Sequence, residues 1–431
     1  MKIQNKKNIS AFGGINYVFD YLSKSKIAEI LESDLPALKK QSQYKWTDIF
    51  YSFISIYLCG GSCVEDLQNH LKSHFDNNPF LNLPSPDTLL KRFSELTEDT
   101  YKAKTKRGAF YHTCSNNNKL DNLNIKLLKK LGVFESDKLV LDYDNTIVFT
   151  EKSDSKMTYK RDYGYHPAVC TVNEEHVLHI QNRNGNCDPK AFQAEVLRDV
   201  FNLLEKHEIS KPLHLRADAA SYQYDVVKEL VKNNVTFYIG CRNSYVERYF
   251  TQVKKWVPMK SSLNPTMEVG EIIITPFQRQ AEIDQAESKS YRMIVKRCKN
   301  KNGQLNLLTG DAYEYRAILT NNFELTPLEV AAFYNHRGNM EKQFDILKND
   351  FGWNNMPFSC LSKNTVFLYF SAICRNLYSK IIKHFSQVVR FLKPTYRVKK
   401  FLFRFIIIPA RWITHSRQKQ LSLYGKINFR T

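Results

Sequence analysis

The sequence predicts an α/β fold in which a helical segment precedes a mixed sheet, and a second block of strands is inserted late into the domain built on that sheet. Three observations carry this. Apolar residues recur at helical spacing through residues 1–135; from residue 138 short β-branched and aromatic runs replace them; and beyond residue 189 helices and strands alternate. With 431 residues, 43% of them hydrophobic and 13% aromatic, the chain has material for more than one core and is no disordered polycation.

In the helical part, Trp46 to Leu58 carries an apolar face that Gly60-Gly61 ends, and Ser62 with Glu65 has capping-box spacing for a second helix. Ser85 followed by Pro86 opens a third, with Leu89, Leu90 and Phe93 on one side. Three short helices fit a helix-turn-helix DNA reader and a plain bundle equally. HTCSNNNKLDN, from His112, reads as a surface loop near a boundary. KLVLDYDNTIVFT, YGYHPAVCTV and HVLHIQNRNG then read as strands, followed by a helix from Pro189 to His207, the strand PLHLRAD, a helix from Tyr222 to Val231 and the strand TFYIGCR. The order is β-β-β-α-β-α-β. GEIIITPF, SYRMIVKR, LNLL and YRAILTNN add strand character before a helix that starts at Thr326, with Pro327 at its first position and Glu329 at its third. The chain thus divides into a helical part at 1–135, a first core part at 136–243, a β-rich insertion at 244–325, a second core part at 326–385 and a basic aromatic tail at 386–431.

Charge is concentrated at one end. Lys and Arg number 63 against 43 Asp and Glu, an excess of 20, and 15 of those cations lie in the 81 residues after Asp350, which hold no acid. Aromatics interleave them in RVKKFLFRFIIIPARW, where Lys399, Lys400, Arg404 and Arg411 are the cations expected to follow a phosphate backbone. Pro394, Pro409 and the run Ile406 to Ile408 argue against the single amphipathic helix that a membrane-surface role needs. Double-stranded DNA is the expected partner and a membrane is not: FLYFSAIC meets Arg375 and Lys380 before reaching the ~18 apolar residues of a span. MKIQNKKNIS lacks a secretory apolar core, and nine scattered cysteines without a CxxC pair read as reduced thiols in a cytoplasmic protein without structural zinc.

The acidic residues carry the chemistry. Asp142 and Asp144 in LDYDNT and Asp218 in HLRADAAS end two strands of the α/β domain, where ligands gather in such sheets. Asp144, nearer its strand end, is the better first acid, with Asp142 the alternative; each alone also fits a turn or a helix cap. In YNHRGNMEKQFDILK, Tyr334, Arg337, Glu341 and Lys348 stand at offsets 0, 3, 7 and 14. At about 100° per residue these share one narrow helix stripe. Such a stripe is often a solvated ion-pair ladder. Together with two strand-end aspartates and a cationic tail, however, it points to phosphodiester chemistry on hard divalent metal, held by Asp144, Asp218 and Glu341.

At these residues the sequence resembles the DDE transposases of bacterial insertion sequences, in the branch of groups 4 and 1380. The spacing Tyr-x2-Arg-x3-Glu-x6-Lys is that family's signature around its last acid, and DYDNT and LRADAAS are similar to its first- and second-acid strands. The resemblance implies an RNase H-like catalytic core with a β-strand insertion between the second and third acids. It implies that Asp144, Asp218 and Glu341 bind two Mg²⁺ ions, for which Mn²⁺ can substitute, and that Tyr334, Arg337 and Lys348 contact DNA. It further implies binding of terminal inverted repeats by the helical domain, cleavage that frees a 3′-OH, a hairpin on the opposite strand, joining to target DNA, a homodimer on paired ends and action at the bacterial nucleoid. Trp256, in KKWVPM, is the candidate to stack on a flipped base, and equally fits sheet packing. No role follows for His166 in YGYHP, and His176 and His179, three apart on a strand, do not form a metal pair. The alternatives are an RNase H-fold nuclease without strand transfer and a non-catalytic DNA-binding derivative.

Overall fold

A computed structural model of the chain describes residues 8–75, 78–106, 108–259, 266–300, 303–305, 309–415 and 417–427. Its strands begin with a short pair, β1 (Tyr101–Ala103) and β2 (His112–Ser115). The central group is β3 (Leu139–Asn145), β4 (Val148–Phe149), β5 (Lys156–Met157), β6 (Tyr163–Tyr165), β7 (Ala168–Val172), β8 (His176–Arg183), β9 (Leu213–Ala217) and β10 (Thr236–Cys241). Later come β11 (Trp256–Pro258), β12 (Glu268–Ile274), β13 (Tyr291–Lys299) and β14 (Tyr313–Thr320), then a hairpin of β15 (Ala410–His415) and β16 (Gln418–Leu423).

Among the described residues, eleven strands form one sheet in the order β1-β2-β8-β7-β3-β9-β10-β14-β13-β12-β11. Within it, β8-β7-β3 run antiparallel and β3-β9-β10 parallel. That five-strand arrangement is RNase H-like. The parallel joins require crossovers, which helices Gln193–Lys206 and Tyr224–Lys232 supply. The inserted strands are no separate lobe: β14 pairs antiparallel with β10, and β13, β12 and β11 continue the same sheet.

Both faces of the sheet are covered, so β7 and β8 are buried along their whole length instead of alternating. On one face, Cys170, Val172 and Leu178 pack with the two crossover helices; on the other, Val169, Val177 and Ile180 pack with the N-terminal helices and the long helix Leu361–Val388. The N-terminal helices therefore share a core with the C-terminal one. Trp46–Leu58 is enclosed on nearly every side, because its own sequence is apolar almost all round. The long helix also completes the hydrogen bonding of β8: Asn376 accepts from the Val177 N–H at 2.8 Å, and the Tyr369 hydroxyl bridges the N–H and carbonyl of Ile180.

Several local expectations change. HTCSNNNKLDN is not a surface loop: His112–Ser115 pairs with β1 and β8, and Asn117 caps helix Asn118–Lys130 by accepting the Leu120 N–H at 2.9 Å. Its asparagines cap and bridge instead of marking a loop. Asp66, not Ser62 and Glu65, organises the turn at 62–66, accepting the N–H groups of Ser62 and Cys63. Ser85 and Thr326 cap as their spacing predicts, the latter in a full capping box with Glu329. LNLL lies largely outside the described residues.

The segment read as a tail at 386–431 is partly built into the molecule. Phe401, Phe405 and Ile406 are buried, β15 and β16 form a hairpin, and Ser10 exchanges two 2.8 Å backbone hydrogen bonds with Ala410. The Gly13 N–H donates to the Ile408 carbonyl at 2.7 Å, and at Gly14 a Cβ would collide with the Phe405 carbonyl. All nine cysteines are free, and among the described residues no helix is long and apolar enough to cross a membrane.

Candidate active site

Register brings the two aspartates together. In the parallel pair β3/β9, Asp142 stands opposite Arg216 and Tyr143 opposite Ala217, so Asp144 and Asp218 come next, at the carboxyl ends of neighbouring strands. Asp218 caps the short turn Ala219–Ser221, accepting the Ala220 N–H at 2.9 Å, and Asp144 Oδ1 accepts the Asn145 N–H at 2.8 Å. Burial pushes the Asp144 carboxyl up to about 6; the neighbouring Arg337 opposes that rise, and the charges of Asp218 and Glu341 add to it.

Asp142 is committed elsewhere. Arg216 grips it with two 2.7 Å bonds, and both side chains are fully enclosed. The same guanidinium reaches Glu174 at 2.8 Å and the Phe333 carbonyl at 3.1 Å. Glu174 in turn accepts from Asn339 at 2.8 Å, and its carbonyl accepts from Gln343. This chain of polar contacts runs from the middle of the sheet to the segment that carries the third acid.

That segment is not one uninterrupted helix. It comprises helix Pro327–Asn335, a 3-10 turn His336–Gly338 and helix Asn339–Asp350, so Arg337 lies in the break. The four signature side chains still line one side. Tyr334 donates to the Ala217 carbonyl at 3.2 Å, and its hydroxyl fits only because residue 240 is glycine, whose Cβ would clash with it. Arg337 donates to Asp144 Oδ2 at 2.5 Å and holds its second terminal nitrogen 3.8 Å from Glu341. Its Nε is buried without a partner. Lys348 donates to the Thr146 hydroxyl at 2.7 Å.

The donor set suits a hard divalent cation in kind: Asp144, Asp218 and Glu341 offer only oxygens, and the burial that raises the Asp144 carboxyl, with the smaller push from Asp218 and Glu341, is what a bound cation would offset. Asp144 and Asp218 adjoin, whereas the Glu341 side chain is 77% exposed and reaches them through Arg337. Among the described residues no three His, Cys, Asp or Glu side chains stand close enough together to hold a metal.

The remaining candidates lie apart from these contacts. Trp256, on β11, has the Arg297 guanidinium 4.0 Å from its ring centre and Tyr315 against it. Lys399, Lys400, Arg404 and Arg411 are all exposed, while Arg397 is tied to Asp345 and Asp350. His176 faces Glu175 and His179 faces Asp121. Sequence reasoning missed Arg216, Glu174, Thr146 and Gly240. A signal for the first was present: DYD and RAD place Asp142 and Arg216 at the same offset before their strand-end acids, so pairing those acids makes the two face each other.

No curated protein matches the chain significantly. Among solved structures, a cryo-EM structure of the piggyBac transposase synaptic complex with hairpin DNA is similar at a TM-score of 0.43 and 10% identity, covering 94% of this chain and 83% of that one. Residues 5–430 match the family described as transposase DDE domain group 1, so the chain belongs to the DDE transposases.

Proposed function

We propose that the chain is a DNA transposase that binds the terminal inverted repeats of its own mobile element, cuts at those ends and joins the freed 3′-OH ends to target DNA by transesterification, passing through a hairpin. The observation that carries this reading is the pairing of Asp144 and Asp218 at the ends of adjacent parallel strands, with the Arg337 guanidinium beside Asp144. Asp144 and Asp218 hold the cation, and Glu341 completes the set when its exposed side chain turns inward. Bound Mg²⁺, or Mn²⁺ in its place, activates the attacking oxygen and stabilises the leaving one.

The chain's own residues position the DNA. Arg337, released from Asp144, carries an unpaired buried Nε–H that suits a phosphate oxygen. Lys348 adds a cation beside Thr146, Tyr334 packs at the second-acid strand, and Lys399, Lys400, Arg404 and Arg411 follow the backbone farther out. Trp256, which has the Arg297 guanidinium over its ring, stays the candidate to stack on a flipped base. A homodimer pairs two ends, and the reaction takes place on the nucleoid of a bacterial cytoplasm.

The test is cleavage and strand transfer of the DNA ends flanking the gene, in Mg²⁺, by the wild type beside Asp144→Asn, Asp218→Asn and Glu341→Gln. Cutting and joining lost in all three, with end binding retained, supports the reading. Cutting without joining means a nuclease, and binding without metal-dependent cutting means a DNA-binding derivative.

A further inference from the structure

We propose that the cavity between helices Asn339–Asp350 and Leu361–Val388 is a binding site for a small organic anion, one carboxylate or phosphate group on an apolar body, held by Arg375. It stands apart from the acids of the proposed metal site and does not depend on their chemistry. The cavity measures about 360 Å³, within the range of small-molecule sites. Ile346 and Asp350 line it from the first helix, and Arg375, Tyr378 and Ile382 from the second.

A third wall is the segment Pro394–Arg397, which is pinned at two points. The Tyr378 hydroxyl donates to the Tyr396 carbonyl at 2.6 Å, and Arg397 donates to Asp345 at 2.5 Å and to Asp350 at 2.8 Å. Bonds between three segments therefore hold the space open in a defined shape.

The charges around the cavity do not cancel. Lys383 is paired with Glu175, which also accepts from Ser379 at 2.7 Å, and Arg397 is paired with Asp350. Arg375 is left over. Its side chain is 7% exposed, it donates to neutral oxygens on Ser379 and Gln343, and it stands 4.0 Å from the already paired Glu175. Among the described residues its Nε has no hydrogen-bond partner. Burial pulls this guanidinium below its ordinary range, and the nearby acids do not make up the difference. A buried charge in that condition is costly, and an anion entering the cavity relieves it. Ile346, Tyr378, Ile382, Pro394 and Tyr396 give the walls apolar surface that a bare inorganic ion would leave uncovered, so the anionic group is carried on an apolar body.

The cavity backs the helix that carries Glu341: Ile346 and Asp350 lie about 140° and 180° round that helix from it. Gln343, an oxygen partner of Arg375, also donates to the Glu174 carbonyl at 3.0 Å, in the polar chain that runs to Arg216 and Asp142. An occupant that draws on Arg375 thus bears on the placement of the third acid from behind.

The experiment is isothermal calorimetry on the full chain without DNA, at constant ionic strength, with benzoate, phenyl phosphate and the neutral benzamide as probes. At least one of the anions is expected to bind about tenfold more tightly than benzamide, and which one does so distinguishes a carboxylate ligand from a phosphate. Arg375→Met removes that preference, and Arg375→Lys, which keeps the charge but not the planar fork, reduces it several-fold. Thr395→Trp, at an exposed position lining the cavity, closes it to all three probes, and decides the matter where circular dichroism shows that a change at the buried Arg375 prevents folding.

Saturable binding of neither anion overturns the proposal and leaves the cavity to water. Equal binding of the anions and benzamide overturns the role of Arg375. Binding that survives Thr395→Trp, or an anion preference that survives Arg375→Met, places the ligand elsewhere and overturns the site.

Discussion

Arg337 and Asp144 form a 2.5 Å ion pair across 193 positions of sequence, and the same guanidinium faces Glu341. A fixed positive charge thus stands between two of the three acids of the proposed metal site. It balances carboxylates that otherwise repel one another, and it competes with any cation that approaches them.

Arg337→Gln is therefore expected to bind Mn²⁺ several-fold more tightly, measured by calorimetry without DNA, while end cleavage falls by roughly two to three orders of magnitude through loss of a charge on the phosphate. Unchanged or weaker Mn²⁺ binding would show that the arginine does not compete for the site.

Asp142 and Asp144 should separate by phenotype. Asp142→Asn breaks a fully enclosed bidentate pair with Arg216 and should cost about 3–5 kcal/mol of stability. Asp144→Asn breaks a single contact with Arg337 instead of an enclosed bidentate pair, so the folded state should lose less than with Asp142→Asn while cutting is abolished. Calorimetric melting of both variants decides this, and equal destabilisation would contradict it.

Burial of His166 is expected to make the fold sensitive to acid. Burial pushes its imidazole down from 6.5 to about 4, nearby Arg183 adds to that, and its Nδ1–H donates to the Cys187 carbonyl at 2.7 Å. Because the folded-state value is depressed, the unfolded chain takes up the proton first. The contribution is complete above about 6.5 and shrinks as pH falls towards 4, by at most roughly 3 kcal/mol. His166→Asn, which keeps a donor for Cys187, should lose less stability than the wild type between pH 7 and pH 4.5 in urea titrations. Parallel losses would place the acid sensitivity elsewhere.

Changing Lys399, Lys400, Arg404 and Arg411 together to Gln should weaken binding to every DNA sequence and reduce the slope of log affinity against log salt by up to about 3.6. An unaltered slope would mean that these exposed cations do not meet phosphate.

The site was legible in the sequence where spacing alone fixes a side: the Tyr334, Arg337, Glu341 and Lys348 stripe keeps its common side even though a 3-10 turn interrupts it. The choice between Asp142 and Asp144 was not legible, because residues two apart on a strand share a face and only the register with Arg216 shows which one is occupied. His112–Ser115 escaped detection because four residues are too few to show a period and the asparagines after them mimic a loop. β12, β13 and β14 of the insertion were legible one by one and the three-residue β11 was not; their continuation of the main sheet depends on the pairing of β14 with β10, a contact between distant residues that no local pattern encodes.

The backbone bonds between Ser10 and Ala410 bear on how the protein is made. On the ribosome, Ile15–Lys24 meets Tyr51 and Phe75 early, but another of its partners, Phe405, is synthesised far later. Closing the contact of the opening helix with Phe405 is a high-contact-order step of the kind that slows folding. A copy cut short before residue 400 by a nonsense codon thus loses Phe401, Phe405 and Ile406 from the core of its first helices along with its distal cations. Such fragments should be cleared by proteolysis before they can compete with intact enzyme for transposon ends.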